Sequence, residues 1–382
     1  MPHVQVHRKW SSCAYTMKDL KWSGAMSKRG HEVIVYGNEG SEVEGAELVQ
    51  LLTEEERASF FGPYDRQKLI DLRWDANEPY WRLQAERAIP ELKKRVKKGD
   101  FILSMSGNCH QPIANAFENC YSGTPTEAMW VEYGCGYYGV MSRYVVYESE
   151  THRSWLHGAR DSKGENNDDA VVYNFFDLRD FVVDPSKVSD KIKRIQEKPY
   201  FLFIGRVIES KGFQIADEVT QYIPGSRLVV AGPGEVHLQN LTEDEKANDA
   251  VIHFGHATIE ERAALMTGAI ATIAPTRFRE PFGGVAVEAQ LCGCPAITTD
   301  HGAFVETTER QWRCVTHRDF VEACERAQKL TAIDRANIKI RAASLFSLEA
   351  VMPLYEKYFD RLYARWWAGY YEMRDLEALT LP

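Results

Sequence analysis

The chain has 382 residues, 44% of them hydrophobic, with a net charge of −9, which is enough apolar material for two cores and two domains of roughly 150 to 200 residues each. The acidic balance, with no basic stripe interleaved with aromatics, argues against nucleic-acid binding. No apolar run reaches the roughly 20 residues of a membrane span. The eight cysteines, Cys13, Cys109, Cys120, Cys135, Cys292, Cys294, Cys314 and Cys324, include no Cys-x2-Cys pair, so no structural metal is expected and Cys292 and Cys294 read as small buried residues.

In chain order, Met1-Pro2-His3-Val4-Gln5-Val6 is a strand-like start without the charged and apolar regions of a signal peptide, and a cytoplasmic location is expected. A helix from Thr16 to Lys28 closes at Lys28-Arg29-Gly30 and feeds a strand over Glu32 to Gly37. A second helix begins near Glu78 and ends in Leu92-Lys93-Lys94-Arg95-Val96-Lys97-Lys98. Those cations complement the dipole of a solvated helix end; the alternative is peripheral contact with an acidic membrane. Strands are predicted over Phe101 to Ser106, Thr126 to Val131, Tyr144 to Tyr147 and Ala170 to Tyr173. His110 and Glu132 are expected on strand-end loops, where each could meet a hydroxyl as base or acceptor. Packing of His110 on Pro112 and a loop ion pair for Glu132 are the alternatives.

A polar stretch, residues 185–198, reads as a linker that separates a first domain, 1–184, from a second, 199–347. In the second, Phe201-Leu202-Phe203-Ile204 reads as a buried parallel strand that ends at Gly205-Arg206, followed by Glu209-Ser210-Lys211-Gly212. Arg206 and Lys211 would stand at the carboxyl end of a strand, where open α/β sheets bind ligands. Further strands are Arg227 to Ala231, ending at Gly232-Pro233-Gly234; Val251 to Gly255; Ala269 to Thr276; and Cys294 to Thr299. Between the last two lies Glu280-Pro281-Phe282-Gly283-Gly284, followed by Val285-Ala286-Val287-Glu288. A helix opening at the glycine pair would aim free N–H groups and its positive dipole end at an anion. Glu280 would precede that anion site and Glu288 would sit about one turn inside. A helix from Leu348 to Tyr363, continuing through Trp366-Trp367-Ala368-Gly369-Tyr370-Tyr371, closes the chain with aromatics read as packing.

The spacing Glu280-x7-Glu288 around Phe-Gly-Gly, with Gly205-Arg206-x4-Lys211-Gly212 before it, resembles the donor-site pattern of retaining glycosyltransferases of family 4. The resemblance implies an α/β GT-B fold, in which two Rossmann-like doubly wound domains face one another across a cleft and the last helices, here 348–382, cross back to the first domain. It implies a nucleoside diphosphate sugar as donor (UDP-, GDP- or ADP-linked), with no other cofactor, and an acceptor hydroxyl on a glycan, lipid or small molecule. It assigns the diphosphate to Arg206 and Lys211, the donor sugar to Glu280, the ribose to Glu288, and backbone contacts to Phe282, Gly283 and Gly284. Gly205, Gly232, Gly234 and His253-Phe254-Gly255 would lie near the nucleotide. The chain contains no Asp-x-Asp triplet, which agrees with a donor held by cationic side chains instead of a metal.

The amino-terminal half departs from the family pattern at three places. Ser11-Ser12-Cys13-Ala14 stands where a glycine pair is usual, Val131 to Gly139 carries no histidine after the fifth strand, and Phe175 replaces glycine in Asn174-Phe175-Phe176-Asp177. The acceptor-side residue is therefore open between Glu132 and His110. Two other classes share the donor features. An epimerase or phosphorylase would convert the donor without an acceptor or cleave a glycan with phosphate, and a noncatalytic binding subunit would hold the nucleotide sugar without turnover.

Overall fold

The computed structural model describes residues 1–11, 13–64, 70, 72–117, 128–134, 141–142, 144–159, 168–234 and 250–368. Ser12, Cys120, Thr126, Glu127, Cys135 to Gly139 and Gly369 to Tyr371 lie outside the described residues. The chain divides into one unit of Met1–Pro63, Asp71–Asn174 and Val351–Pro382, and another of Tyr64–Ile70 and Phe175–Ala350.

In the first unit, β1 (Ile34–Gly37) pairs in parallel with β2 (Glu47–Gln50). A second parallel sheet runs β3 (Asp100–Ser104), β4 (Ala128–Tyr133), β5 (Tyr144–Tyr147) and β6 (Ala170–Val171). Residues 1–6 form turns, not the expected strand. Pro2 brings no N–H to a ladder, and the Asn38 amide instead donates to the carbonyls of Met1, Pro2 and Val4 at 3.3, 2.9 and 3.0 Å. The helix Pro79–Arg95 ends with Arg95 paired to Glu47 at 2.6 Å. Tyr355, Tyr358 and Leu362 of the helix Leu348–Ala368 are buried in this unit, where the Tyr358 hydroxyl donates to the Asp168 carbonyl at 2.6 Å. Among the described residues no helix is long and apolar enough to cross a membrane.

Three histidines of this unit are held neutral by burial: His3 and His110 are each pulled down to about 3, and His152 to about 4. In the unfolded chain the same groups bind protons near pH 6.5. Between about pH 6.5 and 4 the unfolded state therefore carries the extra protons, and stability falls with pH by up to about 1.4 kcal/mol per group per unit. The urea midpoint is expected to be lower at pH 5 than at pH 7, with a smaller drop in His152→Gln; equal midpoints for the wild type would contradict this.

Apart from Tyr64–Ile70, the second unit runs from Phe175, ahead of the expected boundary at residue 184. Phe175 and Phe176 are buried, and Phe176 bridges in parallel to Ser347, so this segment is core instead of connector. Nor is 185–198 a plain linker: Ser189 caps the helix Asp190–Gln196, whose Ile192 and Ile195 are buried. The sheet comprises β7 (Phe201–Ile204), β8 (Leu228–Ala231), β9 (Val251–Gly255), β10 (Thr272–Ala274), β11 (Ala296–Thr299) and β12 (Arg313–Cys314), ordered β12-β11-β10-β7-β8-β9. All neighbours are parallel, and β7, β8 and β10 are buried throughout, as strands covered by helices on both faces must be. One face packs Phe203, Val230, Ile273 and Ile297 with Phe213, Ala216 and Val219 of the helix Phe213–Gln221 and Phe320 of the helix His317–Ala327. The order of connection reverses between β7 and β10, which creates a crevice at the carboxyl ends of those two strands.

Candidate functional site

The loops that leave β7 and β10 meet at this reversal. After β7 a short 3-10 turn, Glu209–Lys211, ends at Gly212 with φ 74°. A Cβ at Gly212 would lie 2.1 Å from the Pro275 carbonyl oxygen, so only glycine lets the turn close on the end of β10. The Ser210 carbonyl then accepts from the amides of Arg277 and Phe278 at 2.9 and 3.1 Å and from the Thr276 hydroxyl at 3.0 Å. This lacing sets the Lys211 ammonium against the Glu280 carboxylate, with both side chains mostly buried. Lys211 also lies 4.9 Å from the centre of the Phe278 ring. On its other side Glu280 is held by the loop after β11, where the Ala303 amide donates to its carbonyl at 2.9 Å.

The helix Gly284–Leu291 begins directly beyond. Its cap, Gly283, has φ 78°, and a Cβ there would be 2.3 Å from the ring of the fully buried Phe304. Phe282 is buried too, stacked 6.3 Å from Phe176 and edge-on at 5.7 Å to Phe346. The side chain is thus the anchor of the loop, and only its backbone is left to serve a ligand. Glu288 projects from the second turn and lies 3.4 Å from Nε of Arg262, which belongs to the helix Ile259–Gly268.

Gly205, Arg206, Gly232 and Gly234 come together at the same rim. The Gly205 amide donates to Ala231, the Val207 amide to Pro233, and the Gly232 amide to Gly255, at 2.9, 2.9 and 2.8 Å. Arg206 is exposed there. His253 is exposed within β9, whereas Phe254 is buried with Lys191 4.0 Å from its ring centre. Among the described residues no group of three or more His, Cys, Asp or Glu is placed to hold a metal ion.

The two acceptor-side candidates belong to the first unit and are not on open strand-end loops. Glu132 lies inside β4, fully buried, and its Oε2 accepts from the amides of Met141 and Ser142, each at 2.7 Å. It pins the chain on either side of the β4–β5 connection, a role that its neighbouring glycines did not reveal. His110 ends the short helix Gly107–His110 and packs edge-on to Trp81 at 5.6 Å. Arg262 and Phe278 were missed by the sequence reading. Arg262 follows the capping box of Thr258 and Glu261 by one residue, a signal that marks the helix start but not which acid its side chain meets.

Residues 186–327 match the family model described as glycosyl transferases group 1, a span that contains Arg206, Lys211, Arg262, Glu280 and Glu288. The D-inositol 3-phosphate glycosyltransferase of Pseudarthrobacter chlorophenolicus is 31% identical over 113 residues, which are 27% of this chain and 27% of that protein's length. Among solved structures, the sucrose-phosphate synthase from Thermosynechococcus elongatus superposes with a TM-score of 0.68 at 16% identity, covering 92% of this chain and 94% of that one. Anabaena HepE in complex with UDP and glucose does so at 0.63 and 13%, covering 90% and 96%. The fold is accordingly α/β GT-B, with Rossmann-like parallel sheets.

Proposed function

We propose that this chain is a retaining glycosyltransferase that moves a sugar from a nucleoside diphosphate sugar to an acceptor hydroxyl. The carrying observation is the contact of Lys211 with Glu280 beside the helix start at Gly284, where the strand order reverses. A cation, a carboxylate and free helix N–H groups at one crevice suit a ligand that is anionic at its diphosphate and rich in hydroxyls at its sugar. The match over 186–327 and the naming of the relative as a glycosyltransferase support the same reading.

Arg206, Lys211 and the amides near Gly283 and Gly284 stabilise charge that grows on the departing diphosphate. Glu280 receives hydroxyls of the sugar and Glu288 those of the ribose. The bond from the anomeric carbon to the diphosphate breaks, and the acceptor oxygen bonds to that carbon on the same face. The acceptor proton passes to the leaving oxygen, so the step needs no base from Glu132, which is committed to two amides.

A thermal-shift screen against UDP-, GDP- and ADP-sugars tests the donor class. A ligand at about 100 times its Kd stabilises the folded protein by about 2.7 kcal/mol, and one member of the panel is expected to raise the melting temperature accordingly. Glu288→Ala should weaken that ligand about tenfold or more, the value of a hydrogen-bonded charge. Unchanged affinity by calorimetry would remove Glu288 from the site.

A further inference from the structure

We infer that Arg262 is a positioning residue for the ribose end of the donor, acting through the Glu288 carboxylate. The inference rests on the donor reading above and extends it to a residue outside the two motifs that suggested it.

Glu288 lies within an eight-residue helix, and a long acidic side chain on a helix is ordinarily free to sample several rotamers. Here both side chains of the pair are mostly buried, and Nε of Arg262 stands 3.4 Å from Oε2 of Glu288. The helix that carries Arg262 is held firmly. Thr258 and Glu261 close a reciprocal capping box at its start, and Ile259, Ala263, Ala264, Leu265 and Met266 are buried. Three residues separate it from Gly255, the end of β9, whose carbonyl accepts from the Gly232 amide. The acid that would grip the ribose therefore faces a cation carried on an anchored helix that follows the rim strand β9.

A partly buried carboxylate that accepts from a vicinal diol gains most when it is ionised and when its orientation is set in advance. Arg262 supplies the second condition, with Nε facing Oε2 from an anchored helix. The ribose hydroxyls are assigned to the carboxylate so oriented. A purely structural ion pair would stabilise the fold but would not care whether the nucleotide carries those hydroxyls.

The test exploits that difference. Calorimetry is run with whichever of UDP, GDP and ADP binds the wild type most tightly, and with its 2′,3′-dideoxy counterpart. Wild type is expected to prefer the ribonucleotide, by about tenfold for a hydrogen bond to a charged group. In Arg262→Met the ribonucleotide should weaken to near the dideoxy value while dideoxy affinity stays unchanged, and Arg262→Lys should keep part of the preference. Full discrimination in Arg262→Met, or equal weakening of both nucleotides, would overturn the inference. Glu288→Gln separates it from the reading beneath: if that variant also discriminates like wild type, the ribose assignment of Glu288 fails. If only Glu288→Gln loses the preference, Glu288 stands and Arg262 does not. Should Arg262→Met not fold, Arg262→Gln and Arg262→Lys carry the same comparison.

Discussion

Replacing Lys211 with methionine is expected to lower kcat/KM for sugar transfer by about 10²- to 10³-fold, the range for removing one preorganised group that stabilises a developing anion. Methionine keeps the volume of the stem and removes the charge, so the loss reports on electrostatics. The variant also leaves Glu280 without its cation in a mostly buried position, and the fold should lose stability as well. The double variant Lys211→Met/Glu280→Gln separates the two effects, because it removes the unpaired charge. Its melting temperature should return toward wild type while its turnover stays low. Lys211→Arg should restore little, since the turn closed by Gly212 places a point charge and not a planar fork. A Lys211→Met enzyme with wild-type kcat/KM would end the proposed role.

The second large effect is on stability. Phe282→Ala is expected to cost about 3–5 kcal/mol, because truncating a buried aromatic leaves a cavity as well as losing its transfer energy. Phe282 is 2% exposed, and its neighbours Phe176 and Phe346 are themselves held by the bridge between Phe176 and Ser347. Little is free to collapse into the void. The same truncation loosens the entry to the helix at Gly283, so donor affinity should fall with stability. Denaturant unfolding followed by circular dichroism measures the loss, and Phe282→Leu should keep most of the wild-type stability. A shift below about 1 kcal/mol would place the side chain outside the core.

Much of the second unit was legible in its residues. Phe201 to Ile204 and Leu228 to Ala231 are short apolar runs that end at glycine, Ala296 to Thr299 is a short run of small and β-branched residues after Gly293-Cys294-Pro295, and each is a parallel strand. The helix at Gly284 was legible because Gly283-Gly284 precedes an apolar stretch with no competing turn signal. The first unit was less so. Met1 to Val6 has the alternation of a strand, yet the Asn38 side chain, 34 to 37 residues distant in sequence, takes its carbonyls. Glu132 looked like a loop acid because glycines follow it, but two amides 9 and 10 residues later draw it into the sheet. Both errors have one origin: local pattern carries no information about a polar partner that arrives from far along the chain.

What the sequence by itself determined is the inventory and spacing of charge at the rim of the second sheet: Arg206 and Lys211 after one apolar run, Glu280 and Glu288 around a glycine pair. Side-chain period and glycine placement are local properties, and local properties survive in a string of letters. Only the tertiary structure decided which charges meet. Glu280 is brought to Lys211 because the strand order reverses between β7 and β10, and Glu288 is brought to Arg262 by two helices that follow different strands. Those encounters depend on how whole elements pack, since an ion pair has no signature in either partner's own neighbourhood.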